Sequence, residues 1–102
     1  RLLRWIVDHV LPPAREKGEG GWLCIEARSR RDPMAQKGTP VPGERDAYTY
    51  AGGHYRRFLC MDTLRAELET GLGLVIVHAE ERAGLAPLGT DDPVLIRILA
   101  RK

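Results

Sequence analysis

Six side chains in two short stretches carry the chemistry this sequence could perform. The first stretch holds Glu26, Arg28 and Asp32; the second holds His54, Arg56 and Arg57. Glu and His are ordinary proton acceptors near neutral pH. Guanidinium groups bind carboxylate or phosphate through two parallel hydrogen bonds. Such a set suits a site that grips an anion and moves a proton. A plainer alternative stands beside it. Glu26 and an arginine could pair only to pin a loop, and such networks look like active sites. Neighbours on an extended chain point to opposite sides, so Arg56 and Arg57 cannot both face one crevice. Arg57 is the favoured one.

What must bring these residues together is the stretch Trp22–Arg28, which follows Gly20-Gly21. Trp22, Leu23, Cys24 and Ile25 are all apolar. A continuous apolar run after glycines predicts a strand buried on both faces, of the kind found in parallel sheets. Ligands of open α/β sheets bind beyond the carboxyl ends of the strands. There the run meets Glu26, Arg28, Arg30, Arg31 and Asp32. Glu26 and Arg28, two apart, share one side of such a strand.

Around this strand the other elements fall in order. Leu2, Leu3, Ile6, Val7, Val10 and Leu11 predict an amphipathic helix over residues 1–11, stopped by Pro12-Pro13. His9 lies within it, with no second ligand at metal spacing. Ser29 to Gly53 has neither period and is rich in Pro and Gly, which makes it a candidate substrate lid. Tyr48 and Tyr50 suggest a short extended piece near its end. Phe58 and Leu59 should anchor the return. Met61, Leu64 and Leu68 predict a helix over residues 61–70, begun by Cys60 or Asp62 and ended by Gly71. Leu74–Val77, running toward Glu80 and Glu81, and residues 94–99 predict two strands joined as a hairpin. The helix between the first two strands allows those strands to pair in parallel.

The 102 residues suffice for one domain, and 43% hydrophobic with 29% charged residues is a globular composition. Net charge is +2, without a basic stripe interleaved with aromatics, so nucleic acid is not an expected partner. No apolar run is long enough for a membrane span, and no signal peptide is visible. Cys24 and Cys60 are too few for a disulfide framework or a zinc site. They read as small core hydrophobes in a reducing, cytoplasmic setting, Cys24 inert and Cys60 at most slowly reactive. A chain that starts at Arg1 and enters a periodic apolar segment at once reads as part of a longer protein.

Gly20-Gly21-Trp22-Leu23, then Glu26-Ala27-Arg28-Ser29 with Asp32, then Gly53 to Phe58, then a helix ending in Gly, then Asp92-Pro93, Ile96-Arg97 and Ala100-Arg101-Lys102 form an ordered series. This series resembles the carboxyl-terminal half of the class I S-adenosylmethionine-dependent methyltransferases. The resemblance implies an α/β fold: a partial, doubly wound, Rossmann-like sheet in the order helix, strand, long loop, helix, antiparallel hairpin. Residues 1–102 would be one partial domain, with residues 29–53 as its lid. It implies methyl transfer with Glu26 or His54 as the base. Arg28, Arg56, Arg57 and Asp32 would hold a small, anionic acceptor.

One departure is plain: no G-x-G-x-x-G loop occurs in the chain. S-adenosylmethionine is therefore expected in the whole enzyme and not on this chain alone, and neither is a metal. The missing amino-terminal half, or a partner chain, would complete the enzyme. An open strand edge and apolar faces would favour self-association. The alternative is a non-catalytic binding or subunit module with the same fold.

Overall fold

The computed structural model describes residues 21–102. The helix expected over residues 1–11, its Pro12-Pro13 stop and His9 lie outside the described residues.

Strand β1, Trp22–Arg28, alternates cleanly. Leu23, Ile25 and Ala27 turn inward, while Trp22, Cys24 and Glu26 are exposed. The expectation of a strand buried on both faces is thus corrected. The run looked continuous because two of its outward positions, Trp22 and Cys24, also carry apolar side chains; Trp22 remains 50% exposed.

The long segment after β1 is not structureless. It forms a satellite sheet of three short antiparallel strands: β2 (Thr39–Pro40), β3 (Ala47–Thr49) and β4 (Tyr55–Arg57), in the order β2-β3-β4. The extended piece expected at Tyr48 and Tyr50 is β3 and its exit. Gly38 makes the β2 crossing tight. A Cβ there would sit 2.6 Å from the Thr49 carbonyl oxygen, a distance no real side chain tolerates. Phe58, 1% exposed, anchors the return, its ring edge-on to Tyr48 at 6.1 Å.

Helix α1, Met61–Ala66, continues through wider turns over Glu67–Gly71. It ends at Gly71, as expected, but the left-handed conformation expected of Gly71 is taken by Gly73, with φ +69°. The chain then enters β5, Val75–Arg82, and returns as β6, Leu95–Arg101.

The main sheet has the order β1-β6-β5, and β6 is antiparallel to both neighbours. The expected β5–β6 hairpin forms. The expected parallel pairing of β1 with β5 does not, because β6 lies between them. The two strands run in the same direction without touching. The doubly wound, Rossmann-like half is therefore corrected. The described residues form two small antiparallel sheets, and one short helix covers one face of the larger. β6 takes the centre, where both backbone edges are paired, and it is the most buried of the three strands; the half-exposed β1 and β5 take the edges.

Leu64 and Leu68 of α1 pack on Ile96, Ile98 and Ala100 of β6, with Leu74 closing the end. Leu23, Ile25, Ile76 and Ala79 flank this core from the edge strands. Leu68 is fully buried and Leu88 is 80% exposed. Leu68→Ala should cost about 3 kcal/mol in urea unfolding. Leu88→Ala should stay within about 0.5 kcal/mol. Equal effects would show that the helix does not seat on this sheet.

Candidate functional site

The return segment joins β1 just beyond its carboxyl end. Ser29 and Leu59 form a single parallel bridge: the Leu59 amide donates to the Arg28 carbonyl at 2.8 Å, and the Arg30 amide to the Leu59 carbonyl at 2.9 Å. This bridge carries Cys60 and the start of α1 to the end of β1. The carboxyl end of β5 arrives from the other side of β6. A cleft of about 360 Å³ opens there, lined by Arg30, Arg31, Cys60, Met61, Asp62 and Glu81.

Which β5 acid reaches the cleft is decided by one residue. The register with β6 shifts between Ile76 and His78, so Val77 is an extra residue, a β-bulge. Ile76 faces the core, Val77 and His78 both face out, and Ala79 faces in again. Glu80 then lies outward opposite Arg97, and Glu81 lies inward opposite Ile96. The fully buried Ser29 hydroxyl donates to Glu81 Oε2 and accepts from the Arg31 amide at 2.9 Å. The Arg31 guanidinium lies 3.6 Å from Glu81 Oε1. Arg30 reaches Asp46 at 3.8 Å. Asp62 is exposed and has no cation within ion-pair distance among the described residues.

Cys60 stands at the N-cap of α1. The backbone N–H and hydroxyl of Thr63, and then Arg30, face its sulfur and hold the thiol below the ordinary range, without closing a side-chain cap. In turn, Cys60 and Asp46 push the Arg30 guanidinium further up.

The residues singled out in the sequence scatter around this cleft. Glu26 lies on the open face of the sheet, where its Oε2 takes a 2.7 Å hydrogen bond from Arg97 Nε. That pair is about half exposed, so it stabilises by less than about 1 kcal/mol. Arg28 shares this face. It contacts Asp32 at 3.5 Å and Asp91 at 3.2 Å. Asp32, 4% exposed, accepts the Met34 amide at 2.9 Å and shapes the turn after β1. His54 sits at the β3–β4 turn and is exposed. Glu26 and His54 therefore do not meet.

Arg56 and Arg57 do point to opposite faces of β4. Arg56 shares the electrostatic surroundings of Tyr50 with Arg28 and Asp32. Arg57 lies on the other face, beside Arg45. The favoured arginine is thus the one turned away from Arg28. The sequence reading missed Ser29, Arg30, Arg31, Cys60, Asp62 and Glu81 as a group. The signal for Glu81 was hidden, because a bulge cannot be read from a β-branched run.

Among the described residues no cluster of three His, Cys, Asp or Glu side chains could hold a metal, and no helix is long and apolar enough to cross a membrane. No family model matches the chain, and neither a curated protein nor a solved structure does.

Cys24 is corrected from buried to exposed, on the open face between Trp22 and Glu26. Native-state alkylation followed by mass spectrometry should modify Cys24 readily. Cys60 should reach half its limiting rate at a lower pH than a free thiol such as glutathione does. Protection of Cys24 would show that the open face is covered in solution.

Proposed function

We propose that this chain is the substrate-side portion of an S-adenosylmethionine-dependent methyltransferase, catalytically incomplete by itself. The observation that carries the reading is the cleft at the carboxyl ends of β1 and β5. These two strands run the same way, α1 connects them, and their ends gather Arg30, Arg31, Asp62 and Glu81. The ordered sequence motifs support the same reading from outside the geometry.

Methyl transfer is an in-line displacement at a sulfonium methyl, so the protein's task is to orient the acceptor and, where needed, take its proton. Arg31, held by Glu81 and exposed at its tip, orients an anionic acceptor, with Arg30 beside it. Asp62, exposed and unpaired, takes the proton. Ser29 fixes Glu81 and therefore Arg31. Glu26 and His54 have no part in this scheme. The described residues include no glycine-rich loop and no ribose-binding acid, so no residue here is assigned to hold the methyl donor. It would be bound by the amino-terminal half or by a partner chain.

The test uses the protein together with any flanking sequence it carries in the cell. Formation of S-adenosylhomocysteine is measured with pooled small-molecule acceptors. Asp62→Asn should lower kcat/KM at least about tenfold, the lower range of general-base effects, with Tm unchanged. Ser29→Ala should weaken acceptor binding and also lower Tm, because it leaves Glu81 without its buried donor. No product from the unaltered protein, assayed with its flanking sequence and every chain that co-purifies with it, would refute the reading.

A further inference from the structure

The near-neutral total charge conceals a division. Between Arg28 and Arg57 the sequence has seven cationic side chains against three carboxylates, while the whole chain is only +2. Folding compensates only part of the imbalance, pairing Arg31 with Glu81 and Arg28 with Asp91 from outside the segment. Asp32 is buried against Arg28, and Asp46 is taken up by Arg30. Lys37, Arg45, Arg56 and Arg57 are all exposed, with no carboxylate at ion-pair distance among the described residues. Glu44 is the one exposed acid of the satellite sheet and its turns, and it accepts the Tyr55 hydroxyl at 2.6 Å.

That hydrogen bond holds the Tyr55 ring in place while leaving it 51% exposed. Arg57 lies two residues along the same face of β4, close enough to act electrostatically on Tyr55. Arg45 and Arg57 then flank a small hollow of about 120 Å³ with Thr63, which Asp46 and Glu67 also line. A single phosphate would call for arginines converging on one point. Here Arg56 and Arg57 take opposite faces of a strand, and Lys37 stands at the opposite edge of the sheet, by β2. Cations spread over a lobe suit an extended polyanion. A fixed, exposed aromatic ring among them suits one that carries bases.

We propose that the satellite sheet is a binding surface for single-stranded nucleic acid, with its phosphates on Arg45, Arg56, Arg57 and Lys37 and a base stacked on Tyr55. This inference does not depend on the methyl-transfer reading. It departs from the expectation drawn from net charge and the lack of a basic stripe with aromatics, because these cations sit in one segment that folds into a lobe of its own.

The full chain is titrated against a fluorescein-labelled 20-nucleotide oligouridine, and anisotropy is followed in 50 to 200 mM NaCl. Four phosphate contacts give a log–log salt slope near −3, which is roughly a fifty-fold loss of affinity across that range. Arg57→Ala and Arg56→Ala should each reduce the slope by about 0.7. Arg82→Ala, on the main sheet, should leave it unchanged. Tyr55→Phe keeps the ring and should retain binding, whereas Tyr55→Ala should lose about five-fold or more. All of these positions are exposed, and circular dichroism should confirm that the variants fold. Three outcomes would overturn the proposal. One is no binding at about 100 μM protein, the weak end of non-specific association. Another is binding indifferent to the arginines. The third is a Tyr55→Ala variant that loses as large a factor in heparin binding as in oligonucleotide binding, because heparin has no bases to stack.

Discussion

Ile96, Ile98 and Ala100 of β6 meet Leu64 and Leu68 of α1 in the one layer of close apolar packing that unites the main sheet with its helix. Both edge strands depend on it. β1 and β5 have no hydrogen bond to each other and keep their common direction only because each is laddered to β6. If the central strand were lost, the carboxyl ends of β1 and β5 would have nothing to hold them together. The cleft is thus built from long-range contacts, although the groups lining it come from turns and strand ends.

Within that frame, the bulge at Val77 acts as a selector. A regular strand would send Glu80 inward and Glu81 outward, because side chains alternate strictly. One extra residue reverses the phase. Glu80 joins His78 and Arg82 on the solvent side, and Glu81 meets the buried Ser29 hydroxyl.

Much of the local structure was legible. The strand at Trp22–Arg28, the helix over Met61, Leu64 and Leu68, and the β5–β6 hairpin all follow from periodicity and turn residues. The sheet order was not. Period and length do not say that a third strand will insert between two others, and the helix between β1 and β5 made direct parallel pairing the shorter route. The apolar Trp22 and Cys24 also disguised an alternating strand as a doubly buried one, and the parallel-sheet expectation was built on that disguise. For the candidate site, the cleft does lie beyond the carboxyl end of β1. Arg30 and Arg31 line the cleft, but Glu26 and Arg28 are on the opposite face, because the strand's inward phase is set by Leu23 and Ile25. His54 was misplaced for a different reason: the supposed lid folds into its own sheet, which carries that residue outward.

The bridge between Ser29 and Leu59 makes the whole excursion leave and re-enter the main layer one strand spacing apart, about 4.8 Å. An insertion whose ends are tied so closely is a module. Its length can change with a closure cost that grows only logarithmically, and neither the packing of α1 nor the ladder of β6 would register the change. The satellite sheet could thus be enlarged or trimmed over generations while the cleft beside it keeps its shape, so long as Asp46 stays to hold Arg30.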